Sequence, residues 1–441
     1  MDDRSSGPMK LMMALVSACA LTLNSPAVDA ETVLRAQRPV TWKDFLGVNV
    51  QFHQFTPDIY EKQMTQLDGL GLKWIRWTLR WPVLEPVPGE YDLAALDAAM
   101  AAAASHRYST VAYLVGSATF DSSAPQGASN ADQYPPRDNS IFAERMTALA
   151  QHYPQVSHWQ VWNEPNIVWL PQADPVAYYN LLTETASAIR TALPGKPVIT
   201  AGVAYYGQIR GSTGYMLQSM VDQGLAGQNI TAAYHPYSEY PEGDSIGDRD
   251  FLVRGNALNK TLHDAGVKDV WATEWGWSSY SGPVEMQHII GLDGQADYTL
   301  RRLAMMSTMD YQRIFVFNLS DLDQRASTRD RSYGLVDLNG KPKPVYTALK
   351  HFFDVTGPTL MPADPPPAIA LPEDLYAIAW NRPDGSHLLM AWSASSAHLN
   401  FPGIKTATLY DPLTGDHREL ASAKGVDVSL SPTLQVLVWK P

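Results

Sequence analysis

The sequence has almost no cysteine and few charged residues. Its 441 residues include one cysteine, Cys19, so neither a disulfide within the chain nor a cluster of cysteine ligands for a metal can form. Charged residues make up only 18% of the chain, and acidic residues outnumber basic ones, which gives a net charge of −12. A chain of this sign repels phosphate backbones, so nucleic acid is excluded as a predicted partner. Internal repeats are absent too, and 45% hydrophobic content is ample for a large core.

The first 30 residues have the pattern of a secretory leader. Arg4 and Lys10 precede an apolar run, Leu11–Leu23, and Val28-Asp29-Ala30 has the small-x-small form that a signal peptidase accepts. Residues 1–30 are therefore predicted to be a signal peptide, and the mature protein to be periplasmic or secreted. Two alternatives stay open: lipidation at Cys19, and retention of the apolar run as an anchor in the inner membrane.

Between residues 44 and 353, short apolar segments alternate with amphipathic helical ones. This alternation predicts parallel strands covered by helices. Eight such units suit a closed (β/α)8 TIM barrel, to which we assign residues 42–355. The eight predicted strands are Leu46–Val50, Trp74–Trp77, Thr110–Leu114, Trp159–Trp162, Val198–Ala201, Thr231–Tyr234, Val270–Thr273 and Ile314–Phe317.

The character of the chain changes after Phe353. Pro358, Pro362 and the run Asp364-Pro365-Pro366-Pro367 neither continue a helix nor enter a central strand, so they indicate a domain boundary. Short strand-like segments follow, and residues 356–441 are predicted to form a small antiparallel β sandwich. Because this segment is short for a complete sandwich, residues 31–41 are expected to add a strand to it before the chain enters the barrel.

Two glutamates follow strands of the predicted barrel. Glu164 comes after the fourth strand and Glu274 after the seventh. Because all strands of a closed parallel barrel end on the same face, the two side chains are predicted to meet across one cleft. Glycosidic cleavage needs such a pair, since one carboxyl protonates the leaving oxygen and the other attacks or activates water. A separation of about 5–5.5 Å gives retention of configuration and about 6.5–9.5 Å gives inversion, which the sequence leaves open.

The residues around both glutamates, Asn163-Glu164-Pro165 and Thr273-Glu274-Trp275-Gly276, resemble those of the retaining glycosidases of clan GH-A. This resemblance implies that Glu164 is the acid/base, that Glu274 is the nucleophile, and that Asn163 hydrogen-bonds the sugar 2-hydroxyl. Three further segments are similar to glycoside hydrolase family 39 and its relatives: Glu85–Tyr91, Tyr234–Tyr237 and Asn318–Asp321.

A longer resemblance, from Trp42 to Trp439, is to the PslG-type hydrolases of exopolysaccharide clusters. Its most similar segments are Gln295–Tyr298, Ser320–Ser327 and Tyr333–Asp337. This resemblance implies an endo-acting glycosidase that cuts a mannose-rich biofilm polysaccharide and associates with the export machinery in the periplasm. The leader departs from that group, so membrane attachment does not transfer with the resemblance.

Four more residues are predicted to bind substrate or to support the glutamates. Arg76 lies inside an apolar strand, where a charge needs a carboxylate partner, and clan GH-A often has an arginine here beside the nucleophile. A purely structural ion pair is the alternative. His235 and Tyr237 follow the sixth strand, where the family places residues beside the nucleophile and the sugar, although a histidine is more often an ordinary core group. Trp277 is expected to stack on a sugar ring, or else to fill the barrel rim.

Several neighbours of these residues are ambiguous. Trp275 is expected to be a packing residue, whereas Trp169 and Tyr134 are equally compatible with the cleft or the core. Ser320 and Asp321 either face the substrate or only cap the barrel.

The leading hypothesis is a monomeric, retaining endo-glycosidase that acts on a polysaccharide and needs no metal or cofactor. A noncatalytic scaffold that holds polysaccharide for an export complex is the alternative from another class, and release of reducing ends separates the two. A transglycosylase, in which another sugar replaces water, differs only in its products. The sugar, the linkage and the number of subsites depend on loop shapes that one sequence does not define.

Overall fold

The computed structural model describes residues 33–204, 216–244, 249–283, 289–368 and 371–440. The predicted signal peptide and both alternatives for it lie outside these ranges. Among the helices that the structure describes, none is both long and apolar enough to cross a membrane.

Strands and helices alternate as far as residue 356, and strands alone follow. The strands are β1 Val33–Leu34, β2 Val40–Thr41, β3 Leu46–Val50, β4 Trp74–Arg80, β5 Ser109–Val115, β6 Val156–Val161, β7 Val198–Ile199, β8 Val203–Ala204, β9 Ala232–His235, β10 Val270–Trp275, β11 Arg313–Val316, β12 Thr359–Pro362, β13 Leu375–Asn381, β14 His387–Ser393, β15 His398–Phe401, β16 Thr406–Tyr410, β17 His417–Ala421, β18 Val426–Ser429 and β19 Gln435–Trp439. The helices are α1 Trp42–Phe45, α2 Pro57–Gly69, α3 Trp81–Leu84, α4 Ala94–Ser105, α5 Asn139–His152, α6 Pro175–Ala192, α7 Met216–Asp222, α8 Asp250–Asp264, α9 Gly291–Thr308 and α10 Pro344–Thr356.

Parallel strands form a closed barrel. Their order is β7-β6-β5-β4-β3-β11-β10-β9-β8, and β7 and β8 are two pieces of the fifth barrel strand. Both pieces reach the sixth strand: β8 pairs with β9, and Ile199 of β7 bridges Thr231 just before β9. The sheet therefore returns on itself, which confirms the predicted TIM barrel. Each predicted strand is present: the first has the predicted bounds, the fifth is interrupted after Ile199, and the others have shifted ends.

Side chains inside the barrel form an apolar layer and, nearer the carboxyl ends of the strands, a polar one. The apolar layer contains Trp74, Val111, Ile199, Ala233, Trp271 and Phe315. Side chains two residues apart on a strand point to the same face, so the next inward positions on four of these strands are Arg76, Tyr113, His235 and Thr273. The barrel is thus filled by hydrocarbon at its base and by hydrogen-bonding groups at its mouth.

The chain after α10 forms an antiparallel sheet, β17-β16-β19-β14-β13-β12-β2, with the small sheet β15-β18 beside it. Segments from before the barrel take part, because β1 pairs with β13 and β2 with β12. Side chains of β13 alternate between two cores: Leu375 and Ala377 belong to the core of the β domain, whereas Tyr376 and Ile378 belong to that of the barrel. Burial of each large apolar side chain contributes about 1.5–3 kcal/mol, so the sheet also stabilises the barrel.

Candidate active site

Glu164 follows β6 at a strained turn of the backbone. Trp162 and Glu164 both have left-handed conformations, with φ of 70° and 46°, and such values cost about 1–3 kcal/mol each in residues other than glycine. Hydrogen bonds hold this turn: the N–H of Glu164 donates to the carbonyl of Gly202 at 3.0 Å, and its own carbonyl accepts from the N–H of Val168 at 2.7 Å. The Glu164 carboxylate lies against His235, with 2.8 Å between Oε1 and Nδ1.

Glu274, near the end of β10, is held by a cation and a phenol. Its Oε1 accepts from Nη1 of Arg76 at 2.6 Å, and its Oε2 accepts from the hydroxyl of Tyr237 at 3.2 Å. Burial raises the pKa of this carboxyl, but the charges of His235 and Arg76 and the hydrogen bonds from Arg76 and Tyr237 outweigh it and hold the pKa below its ordinary value. Glu274 is therefore ionised near neutral pH.

The two carboxylates lie close together across the mouth of the barrel. One oxygen of Glu164, one of Glu274 and a ring nitrogen of His235 all lie within 4.8 Å of one another. His235 is fully buried between the glutamates, since its Nδ1 is 2.8 Å from Glu164 and 3.7 Å from Glu274. This spacing corresponds to the arrangement of retaining glycosidases, at about 5–5.5 Å, rather than to the wider gap that admits an attacking water.

Arg76 is fully buried and is surrounded by acceptors. In addition to Glu274, it donates to the side-chain oxygens of Asn49 at 2.8 Å, Gln160 at 2.6 Å and Asn163 at 2.8 Å. Its guanidinium also lies 3.9 Å from the ring centre of Tyr113. Because the bond to Arg76 uses the Asn163 oxygen, the amide nitrogen of Asn163 is oriented as the donor, as contact with a sugar hydroxyl requires.

The structure brings six of the seven predicted site residues together. Arg76 and Tyr237 donate to Glu274, the Nδ1 of His235 lies 2.8 Å from Glu164 and 3.7 Å from Glu274, and Asn163 joins this cluster through Arg76. Trp277 lies elsewhere: it is only 7% exposed, its indole N–H donates to the carbonyls of Ser238 and Glu239, and Arg302 covers its ring. These contacts correspond to a packing role, the alternative to the sugar platform.

Two of the ambiguous residues, Trp169 and Asp321, also make packing or hydrogen-bonding contacts within the protein. Trp169 is 4% exposed and packs edge-on against Trp162 and Tyr178. Asp321 accepts from Lys343 and from the N–H of Gly334, both at 2.8 Å. These contacts stabilise the loops around the barrel mouth.

Sequence reasoning missed the residues that position the cluster. Three of them point into the barrel two residues beyond the apolar layer, toward the carboxyl ends of the strands: Asn49, Gln160 and Thr273. A polar residue inside an otherwise apolar strand is the signal that could have identified them. Arg302 of α9 was missed as well. It donates to the carbonyls of Pro236 and Pro241, both at 2.7 Å, and so supports the loop that carries Tyr237.

Gly202 leaves room for His235, and we expect Gly202→Ala to lower kcat by about 100-fold. An added Cβ would overlap Nε2 of His235 and lie 2.6 Å from Oγ1 of Thr273. Overpacking of this kind costs about 1–3 kcal/mol of folding stability, and a shift of about 1 Å at a reacting group costs about 100-fold in rate. Gly227→Ala is the control, because nothing lies within 4 Å of a Cβ there. Activity close to wild type in a folded Gly202→Ala variant would show that the position of His235 does not matter.

Glu164, His235 and Glu274 together also offer three atoms that could bind a metal ion. Their surroundings favour another use, because both oxygens of Glu274 already accept hydrogen bonds, one of them from a buried guanidinium. A carboxylate held in this way has its charge stabilised by the protein itself and is suited to attack an electrophilic carbon.

The sequence matches no protein-family model and no curated protein. The fold is similar to those of solved glycoside hydrolases. A family 39 glycoside hydrolase from the gut symbiont Bacteroides cellulosilyticus WH2 has a TM-score of 0.70 at 19% identity, covering 91% of this chain and 82% of that chain. A GH39 β-xylosidase from Caulobacter crescentus has a TM-score of 0.64 at 16% identity, covering 93% of this chain and 99% of that chain. A GH30 endoxylanase from Clostridium papyrosolvens C71 has a TM-score of 0.60 at 12% identity, covering 93% of this chain and 99% of that chain. These similarities establish the shared fold.

Proposed function

We propose that this protein is a retaining glycoside hydrolase that uses Glu274 as nucleophile and Glu164 as acid/base. The observation that carries the proposal is the pair of carboxylates within 4.8 Å at the barrel mouth, one of them ion-paired with a buried arginine. Solved proteins with a similar fold include a β-xylosidase and an endoxylanase, which supports the same reaction class.

In the first half-reaction the ionised Glu274 attacks the anomeric carbon while Glu164 gives its proton to the leaving glycosidic oxygen. The bond from carbon to the leaving oxygen breaks as the bond to Glu274 forms, leaving a glycosyl ester. Arg76 and Tyr237 hold the attacking carboxylate in place, and Asn163 presents its amide nitrogen toward the sugar. This order requires Glu164 to begin protonated and Glu274 to begin ionised.

In the second half-reaction Glu164, now ionised, removes a proton from water, and the water oxygen attacks the same carbon. The ester bond to Glu274 breaks, so the sugar leaves with its original configuration and both glutamates return to their starting states. His235, with Nδ1 between the two carboxylates, keeps Glu164 in position during both steps.

The substrate we propose is an exopolysaccharide that contains mannose, cut within the chain. The segments that resemble PslG-type hydrolases support this choice, and the similarity in fold to a GH30 endoxylanase supports cleavage within the chain. We also propose that the enzyme acts as an exported monomer in the periplasm, with association to export machinery as a further expectation from the same resemblance.

The test is product analysis with soluble mannan, xylan and β-1,6-glucan, together with an exopolysaccharide that contains mannose. We expect short oligosaccharides whose new reducing ends initially keep the anomeric configuration of the substrate, as followed by proton NMR. Inverted products would contradict the double displacement. Binding without any release of reducing ends would favour the scaffold, and products longer than the substrate would favour transglycosylation.

We expect a bell-shaped dependence of kcat/KM on pH. The acidic limb reports protonation of Glu274, and because the pKa of this carboxyl is held below its ordinary value, activity should persist at pH values below the usual carboxyl range. The basic limb reports loss of the proton that Glu164 must donate. A rate that rises steadily from about pH 4 to about pH 9 would contradict the paired-carboxylate mechanism.

A further inference from the structure

A pocket of about 400 Å³ lies between the barrel and the β domain, away from the two glutamates. The barrel side is formed by the loop after β9, with Tyr240 and Glu242, and by Tyr298 of α9; the β domain contributes Tyr376 and Trp392. We call it the interdomain pocket. Its volume falls within the range of about 300–1,000 Å³ that is typical of ligand sites. Protein interiors otherwise pack closely, so an interface that served only to join the two domains would not need such an opening.

The lining combines aromatic rings with charged hydrogen-bonding groups. Tyr240 and Tyr298 are partly exposed, whereas Tyr376 and Trp392 are buried and stack on each other, with rings 4.9 Å apart and 2° from parallel. Arginine and carboxylate side chains lie among these rings. Sugars are bound by this combination, because the C–H face of the ring packs on an aromatic face and the hydroxyls take part in hydrogen bonds at the edge.

Two charged groups of the pocket, Glu242 and Arg301, form an ion pair, and a third, Arg249, is held by backbone carbonyls. The carboxylate of Glu242 accepts from Arg301 and, at 3.0 Å, from the indole N–H of Trp392. Arg301 also bonds Asp297 at 2.9 Å, and Arg249 donates to the carbonyls of Glu373 and Leu375 at 2.9 Å each. Both guanidiniums thus already have acceptors, which disfavours an anionic ligand and favours a neutral one rich in hydroxyls.

The same loop connects the interdomain pocket to the active site. Tyr237, which donates to Glu274, and Tyr240, which lines the pocket, are three residues apart, and Arg302 bonds the loop on both sides of them. Trp277 lies between the two places: its N–H donates to Ser238 and Glu239, and its ring packs against that of Tyr298 at 5.7 Å. The loop that carries Tyr237 therefore also forms part of the wall of the pocket.

We propose that the interdomain pocket binds a neutral sugar residue of the polysaccharide, remote from the bond that is cleaved. The inference rests on the proposed glycosidase function and extends it by a site that the β domain helps to build. The pocket would strengthen the binding of long chains and leave short substrates unaffected, because these do not reach it.

The test fills the pocket without removing a native contact. Ala394 is exposed and lines the pocket, so Ala394→Trp should occupy it, whereas Ala423→Trp adds the same side chain at an exposed turn elsewhere in the β domain. The polymer substrate is the one that wild type cleaves fastest. For this polymer we expect Ala394→Trp to raise KM about 10-fold and to leave kcat unchanged. For a short aryl glycoside, kcat/KM should be unchanged. Ala423→Trp should match wild type on both substrates.

Binding is measured separately in a Glu164→Gln background, by affinity electrophoresis in soluble mannan, xylan and β-1,6-glucan. Ala394→Trp should weaken retardation about 10-fold relative to Ala423→Trp, and Tyr240→Ala should do the same by removing an aromatic face. If the enzyme is active and Ala394→Trp changes neither KM nor retardation, the proposal of a sugar site in the pocket is wrong, whereas the proposed glycosidase function is unaffected. Equal losses on polymer and aryl glycoside would also overturn the sugar site, since they indicate a structural effect. If the wild-type protein hydrolyses none of the polymers but Ala394→Trp still reduces retardation, the sugar site is supported and the glycosidase function is rejected.

Discussion

Glu274→Gln is expected to lower kcat by about 10⁴-fold or more, because an amide cannot attack the anomeric carbon. The substitution preserves the shape of the side chain. Its carbonyl oxygen can still accept from Arg76, and its nitrogen can meet the Tyr237 hydroxyl as a donor, so the fold should tolerate the change. The measurement is the rate of reducing-end release at matched thermal stability, with Glu184→Gln on the exposed face of α6 as the control.

Glu164→Gln should behave differently, which separates the two roles. An aryl glycoside with a good leaving group needs little help from an acid, so the glycosyl ester still forms, but water then attacks slowly because no base assists it. Azide needs no base and should restore turnover in Glu164→Gln, giving a glycosyl azide that keeps the anomeric configuration of the substrate. A glycosyl azide of inverted configuration from Glu164→Gln would exchange the assigned roles, because azide would then have replaced the missing nucleophile. Turnover of either variant within tenfold of wild type on the natural polymer would remove that glutamate from the mechanism.

Periodicity and strand ends were enough to predict the barrel and the two glutamates. In the strand Val270–Trp275 the apolar run Val270–Ala272 stops at Thr273, so the position of Glu274 near the end of the strand follows from where that run stops. The parallel barrel then requires both glutamates to share one face. Only the separation of the carboxylates needed the structure, since it depends on the backbone turn at Trp162 and Glu164.

The surroundings of other aromatic residues could not be predicted in this way. Trp277 follows a strand as a sugar platform would, yet Arg302 and Tyr298 of α9 cover it from a helix that begins many residues later. The acceptors of Arg76 are equally nonlocal, because Asn49 and Gln160 come from the first and fourth barrel strands. An inward polar residue indicates that a buried network exists, but its partners depend on the strand register around the barrel.

Arg76→Met is expected to lower kcat/KM by about 10³-fold, since it removes the cation that keeps Glu274 ionised and two of the bonds that orient Asn49 and Asn163. Arg76→Lys keeps a charge but loses the planar fork, so a loss of about 100-fold is expected. In both variants the acidic limb of the pH profile should move to higher pH, because burial raises the pKa of Glu274 and the opposing guanidinium is gone or displaced.

Arg76→Met should also change how the free energy of unfolding depends on pH. In wild type the pKa of Glu274 is lowered on folding, so its contribution to the free energy of unfolding is present above the ordinary carboxyl pKa and is lost as the pH falls. In Arg76→Met the pKa of Glu274 should rise relative to wild type, so the stability deficit of the variant should shrink as the pH falls from 7 toward 4 and the carboxyl gains a proton. Removing one partner of a buried ion pair costs about 3–5 kcal/mol at neutral pH. Arg80→Met on the same strand, whose side chain is 52% exposed and bonds Asp132, should cost at most about 1 kcal/mol. Urea unfolding at both pH values measures the difference, and a deficit in Arg76→Met that stays constant or grows at low pH would show that Arg76 does not stabilise the charge of Glu274.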